Sequence, residues 1–132
     1  MKITIPVEPL SKDEAPRKFF DKTTHRYEIH RSKKYKEYCD IAGRYIDPLN
    51  INFPVNVKMT FYLRKRRSVS LIGLQRAVED VLVDCNLLKS TDSNILKSTD
   101  GSRVYIDETF PRTEIEIERI EYKKKDKKKS FN

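Results

Sequence analysis

Alternation and helical spacing divide the chain into short elements. Ile3, Ile5 and Val7 alternate with Thr4 and Pro6, which predicts a strand over 3–7 stopped by the prolines at 6 and 9. Residues 11–32 are polar and basic without a sustained period and carry Arg17, Lys18, Lys22, Arg26 and Arg31 among Phe19, Phe20 and Tyr27. They read as a loop, of a length that is uncommon inside a compact domain and often functional. Over 33–46, Tyr35, Tyr38, Cys39, Ala42 and Tyr45 or Ile46 recur at three- and four-residue spacing, which predicts an amphipathic helix ended by Asp47-Pro48. The clearest strand is 55–63, with Val55, Val57, Met59, Phe61 and Leu63 on one face and Asn56, Lys58, Thr60 and Tyr62 on the other.

A second helix is predicted over 71–86. Leu71, Leu74, Val78, Val81, Leu82 and Cys85 form its apolar stripe, and Ser70 is placed as its N-cap. A polar loop over 89–94 follows. An extended segment then begins at Ile95-Leu96, turns at Asp100-Gly101 and returns as a strand over 103–106. Residues 113–122 alternate as Ile115 and Ile117, then Ile120 and Tyr122; the shift of phase near Arg119 predicts a bulge. The expected fold is α+β, in the order β-α-β-α-β-β, with helices packed on one mixed sheet.

Composition sets the scale. At 132 residues the chain suits a single domain, placed at 1–121, followed by a basic tail at 122–132 expected to be disordered. Hydrophobic residues are 37% and charged residues 36%, so the core is economical and the surface heavily charged. Of the net charge of +8, the tail holds +5 and the domain +3, a balance that favours a polyanionic partner. No apolar run approaches the ~20 residues that span a bilayer, and no export signal is visible. The expectation is therefore a cytoplasmic protein without a membrane partner. Cys39 and Cys85 lie in helical apolar patterns without CxxC spacing and read as free thiols. His25 and His30 lack a third ligand for zinc. The pentapeptide Leu-Lys-Ser-Thr-Asp occurs at 88–92 and 96–100, a period too short for a solenoid unit.

The local chemistry is richest where the third predicted element gives way to the second helix. Arg64, Lys65, Arg66 and Arg67 leave the strand together, close to a helix N-terminus whose open amides favour anions. That is a phosphate-binding corner; a solvated basic turn is the alternative. Arg76 extends the surface or is simply an exposed helical arginine.

The order of segments also resembles a family, the RusA-like crossover junction endodeoxyribonucleases (Holliday junction resolvases) of phages and prophages. The resemblance runs through Lys33-Lys34-Tyr35-Lys36-Glu37-Tyr38, Arg64-Lys65-Arg66-Arg67, Leu74-Gln75-Arg76-Ala77-Val78 and Asn86-Leu87-Leu88. It continues in Asp92-Ser93-Asn94-Ile95, Asp100-Gly101-Ser102-Arg103-Val104 and Pro111-Arg112-Thr113-Glu114-Ile115. It implies a homodimer in a bacterial host cell that binds four-way DNA junctions in recombination and repair. It further implies cutting with Mg²⁺, held by carboxylates that activate water and stabilise charge on phosphorus.

The family's leading Asp is replaced here by Ser70, a second Asp by Ile72, and an Asn by Gly73; of the later acidic pair Asp92 remains, beside Thr91. The resemblance thus assigns Asp92 and Ser70 to the metal and Arg76 to the scissile phosphate, with Arg64 to Arg67 on the DNA. One carboxylate and one hydroxyl are a thin Mg²⁺ site, so the expected activity is a weakened junction nuclease, the alternative being an inactive branched-DNA-binding dimer. Glu114, Glu116 and Glu118 share a strand face and either approach this site or form a solvated acidic face. A small RNA-binding protein fits the charge and aromatics but explains none of the ordered matches.

Overall fold

The computed structural model describes residues 1–11, 16–31 and 33–121; the tail expected at 122–132 lies outside them. Seven strands and two helices follow in the order β1 (Lys2–Ile5), β2 (Pro16–Asp21), β3 (Arg26–Arg31), α1 (Lys33–Ala42), β4 (Val55–Leu63), α2 (Leu71–Asp84), β5 (Leu96–Ser98), β6 (Arg103–Ile106) and β7 (Arg112–Arg119). The fold is α+β, a single domain of two helices packed against a mixed five-stranded sheet.

β4 organises the sheet. On one side it pairs antiparallel with β7, which pairs antiparallel with β1. On the other side its first residues pair in parallel with β5 and its last with β6. The parallel pairs need a crossover, and α2 supplies it. Alternation along β4 is strict: Val55, Val57, Met59, Phe61 and Leu63 are at most 3% exposed, and the first four meet Ile3, Ile5, Ile115 and Ile117 in one core. Burying a side chain such as Phe61 contributes about 1.5–3 kcal/mol. The opposite face, with Lys58 exposed and Asn56, Thr60 and Tyr62 half-buried, is left open.

Both helices present their predicted stripes. Tyr35, Tyr38 and Ala42 of α1 are buried, as is Ile46 beyond it, while Tyr45 is exposed. Leu74, Val78, Val81 and Leu82 of α2 are buried with Gly73 and Ala77. Leu71, expected in that stripe, is instead exposed at the helix start. The Tyr35 hydroxyl donates to Asp84 Oδ2 and ties the two helices together; burial, helped by that bond, pushes the hydroxyl's pKa up. α2 ends two residues earlier than its pattern suggests, because Asn86 takes a left-handed conformation (φ 60°). Cys39 and Cys85 are half-buried free thiols, and burial raises the pKa of Cys85.

Two expectations need correction. Residues 16–31, within the stretch expected to be a loop, are not one: β2 and β3 pair antiparallel from Pro16↔Arg31 to Asp21↔Arg26, with His25 at φ 55° in the turn. β7 does not bulge near Arg119. It keeps one register with β4 from Arg112 to Arg119 and then ends, so the change of phase marks the end of the strand. The sheet's irregularity falls instead between β4 and β5, at Val55 and Asn56. No described helix is long and apolar enough to cross a membrane.

Candidate nucleic-acid interface

β4 leaves the sheet at Leu63, and the next residues turn the chain into α2. Ser70 is extended (φ −87°, ψ 145°) and its hydroxyl accepts from Gly73 N at 2.9 Å. It is therefore an N-cap, as the sequence indicates. Among the described residues the amides of Leu71 and Ile72 find no partner and stay open at the helix start. Gly73 is buried under Ser11: a Cβ there would stand 2.7 Å from Ser11 Oγ and 2.9 Å from Ser70 Oγ. The asparagine that the resemblance would place at 73 therefore requires Ser11, itself buried, to move.

The four consecutive cations do not act as one unit. Glu8, in the segment after β1, takes Arg64 N on Oε2 at 3.0 Å and the Arg67 guanidinium on Oε1. Arg67 also donates to Pro9 O at 2.7 Å, so it fastens the strand exit to the segment after β1. Arg64 Nη1 reaches Glu108 O at 3.5 Å. Lys65 and Arg66 are exposed and, among the described residues, unpaired. Arg76 is exposed on α2, about 9 Å along the axis from Ser70 at 1.5 Å per residue.

Asp92 sits elsewhere. Its Oδ1 accepts from Asn94 N at 2.8 Å, and its carbonyl accepts from the amides of Ile95 and Leu96. Ile95 O in turn receives Val55 N, at the beginning of β4. Ser70 stands beyond the other end of that strand. The 14 residues of α2 span about 21 Å, and Asp92 lies by the end opposite Ser70. The structure brings Ser70 together with the basic corner and separates it from Asp92. Within one chain these two residues do not fit a shared Mg²⁺ site. Among the described residues no group of three His, Cys, Asp or Glu side chains is placed to hold a metal. The repeated pentapeptide also splits in role: Asp92 caps a turn, whereas Asp100, after β5, bonds through its backbone to Asn56.

Two of the three carboxylates on the acidic strand face, Glu114 and Glu116, are ion-paired. Glu116 lies 3.3 Å from Lys58 and 3.4 Å from Lys2, and these two lysines, Lys58 first, lower its pKa. Glu114 receives Arg112 Nε at 2.9 Å. These residues border a groove of about 380 Å³ on the open face, with Lys58, Tyr62, Arg103 and Tyr105 along it. Sequence reasoning missed the cluster beside that groove. Arg112 lies 3.8 Å over the Tyr62 ring and 4.8 Å from Phe110, and Tyr62 stacks on Tyr105 with centroids 5.6 Å apart. Asp107 takes Arg112 Nη1 at 2.9 Å and caps Thr109 and Phe110. The bond from Arg112 comes first among the causes that hold its carboxyl down at about 2. The signal was an Asp followed two residues later by Thr, the pattern of a side-chain-capped turn.

No protein-family model matches this sequence, and a search of curated proteins finds no match either.

Proposed function

We propose that the protein binds branched DNA as a homodimer of the RusA-like type, acting in recombination and repair, with Mg²⁺-dependent cleavage weakened or lost. The observation that carries this reading is the exposed pair Lys65 and Arg66, unpaired among the described residues, at the approach to α2 where the amides of Leu71 and Ile72 are open. Cations and helix-start amides converge on one corner, and the acidic side chain there, Glu8, is already spent on Arg67. Phosphate is the ligand such a corner takes. Arg76, on the same half of α2, extends the surface along the backbone of a duplex arm. Cleavage is weakened because Ser70 is occupied as a cap and Asp92 lies toward the far end of α2.

A labelled four-way junction tests this directly, with gel-shift binding set beside a linear duplex and cutting followed in Mg²⁺ and in Mn²⁺. Tighter binding of the junction with slow or absent cutting is expected. Equal affinity for junction and duplex would remove the junction reading; rapid Mg²⁺-dependent cutting would overturn the claim of weakened catalysis.

A further inference from the structure

The two outer edges of the sheet differ. β1 begins with Lys2 and runs into Pro6, features that discourage another strand from pairing. β6 reads Arg-Val-Tyr-Ile, has β4 on one side, and has no described strand on the other. Its ladder phase is fixed by Asp107 N, which donates to Leu63 O at 2.8 Å. By the alternation of an extended chain, Arg103 and Tyr105 turn their backbone groups toward β4, while Val104 and Ile106 turn theirs outward. The side chains of Val104 and Ile106 lie on the helix side of the sheet with Phe61 and Leu63, their register partners. The helices do not cover them: they are 37% and 52% exposed, beside Tyr105 and Phe110 at 45% each.

We propose that this edge is the homodimer interface, β6 pairing antiparallel with β6 of a second copy about a two-fold axis at Tyr105. The arrangement is self-complementary in three respects. Val104 falls opposite Ile106 of the second copy as a hydrogen-bonded pair, so every outward N–H and C=O of these two residues is used. On the helix side the same residues cover each other's exposed apolar surface. On the open side Arg103 falls opposite Asp107 of the second copy, placing a cation against a carboxylate that Arg112 and the capped turn hold ionised. The Tyr105 rings meet at the axis and continue the stack that each makes with its own Tyr62. A short strand edge with a few apolar side chains makes a small interface, and micromolar association is expected.

The proposal gives the homodimer of the preceding reading a surface, but it rests on the geometry of β6 and not on DNA binding. Analytical ultracentrifugation of the full chain should show a dimer at a few hundred micromolar that dissociates on dilution. Val104→Lys places a charge on the edge, and Ile106→Pro removes a donor that β4 does not use. Each should weaken association at least tenfold with an unchanged circular dichroism spectrum. Tyr105→Cys should form an intermolecular disulfide under mild oxidation, since facing residues of a non-hydrogen-bonded pair have Cα atoms about 4.5 Å apart. A chain that stays monomeric at that concentration overturns the proposal, as does a dimer indifferent to both edge variants. A monomer that still prefers junctions refutes this interface and leaves the DNA reading standing; an edge-paired dimer with no junction preference does the reverse.

Discussion

At its start α2 meets a strand exit with two free cations, open amides and a carboxylate already neutralised by Arg67. At its other end it meets a turn closed on itself, where Asp92 caps Asn94 and its carbonyl takes two further amides. The first end has donors left over; the second has spent its acceptor on its own backbone. At the first a phosphate meets two adjacent cations beside open helix-start amides; past the second stands the exposed Lys89, without such amides. The contrast also shows why a residue type is a poor guide to its work: Asp92 and Ser70, paired by resemblance as metal ligands, are both caps here, one of a turn and one of a helix.

The largest effect expected from breaking this contrast is on DNA binding. Lys65→Ala combined with Arg66→Ala should lower affinity for any DNA about tenfold or more at low salt. It should also reduce the slope of log affinity against log salt by about 1.8, the loss of two phosphate contacts. Stability should hardly change, because neither side chain has a partner among the described residues. Titrations at several salt concentrations give the slope, and an unchanged slope would place the phosphate contacts elsewhere. Next in size is Ser70→Ala, which removes the hydroxyl from Gly73 N and should cost about 1 kcal/mol in urea unfolding. Ser70→Asp keeps an acceptor at that position and should be close to neutral for stability, while its charge beside Lys65 and Arg66 weakens DNA binding. An unfolding free energy unchanged in Ser70→Ala would show that the cap contributes nothing.

Strict alternation made β4 legible in the sequence, since β4 is buried on one face only and a slip of one residue would expose Phe61 and Met59; β6 was legible as the strand returning from the Asp100-Gly101 turn. The β2–β3 hairpin was not legible. Its turn, Lys22-Thr23-Thr24-His25, lacks the Asn-Gly or Asp-Gly pair that announces a tight hairpin, and His25 takes the positive φ that glycine ordinarily would. The basic corner was visible as four cations in a row, but its division was not, because Glu8 stands 56 positions before Arg64 in the chain. Likewise, the matched order of segments gave no sign that Asp92 and Ser70 lie at opposite ends of a helix: spacing along a chain does not measure distance in space. The cluster around Arg112 was not legible because its partners, Asp107, Tyr62 and Glu114, come from three different segments.

The smallest expected effect is also the sharpest test of the contrast. Asp92→Asn retains an oxygen that can accept from Asn94 N, so unfolding free energy should stay within about 0.5 kcal/mol of the parent. The residue stands apart from the corner, so junction affinity should be unchanged as well. If the chain cuts junctions at all, residual cutting should survive this change. Cutting that is present in the parent and abolished by Asp92→Asn, with folding and binding intact, would bring the two ends of α2 into one working site. Since the length of α2, about 21 Å, lies between the Ser70 corner and the segment that carries Asp92 in a single chain, that result would require Asp92 of one copy to serve Ser70 of another. The antiparallel pairing of β6 turns the two copies end for end, so the junction assay on Asp92→Asn, repeated in the edge variant Val104→Lys, would show whether the dimer is what joins them.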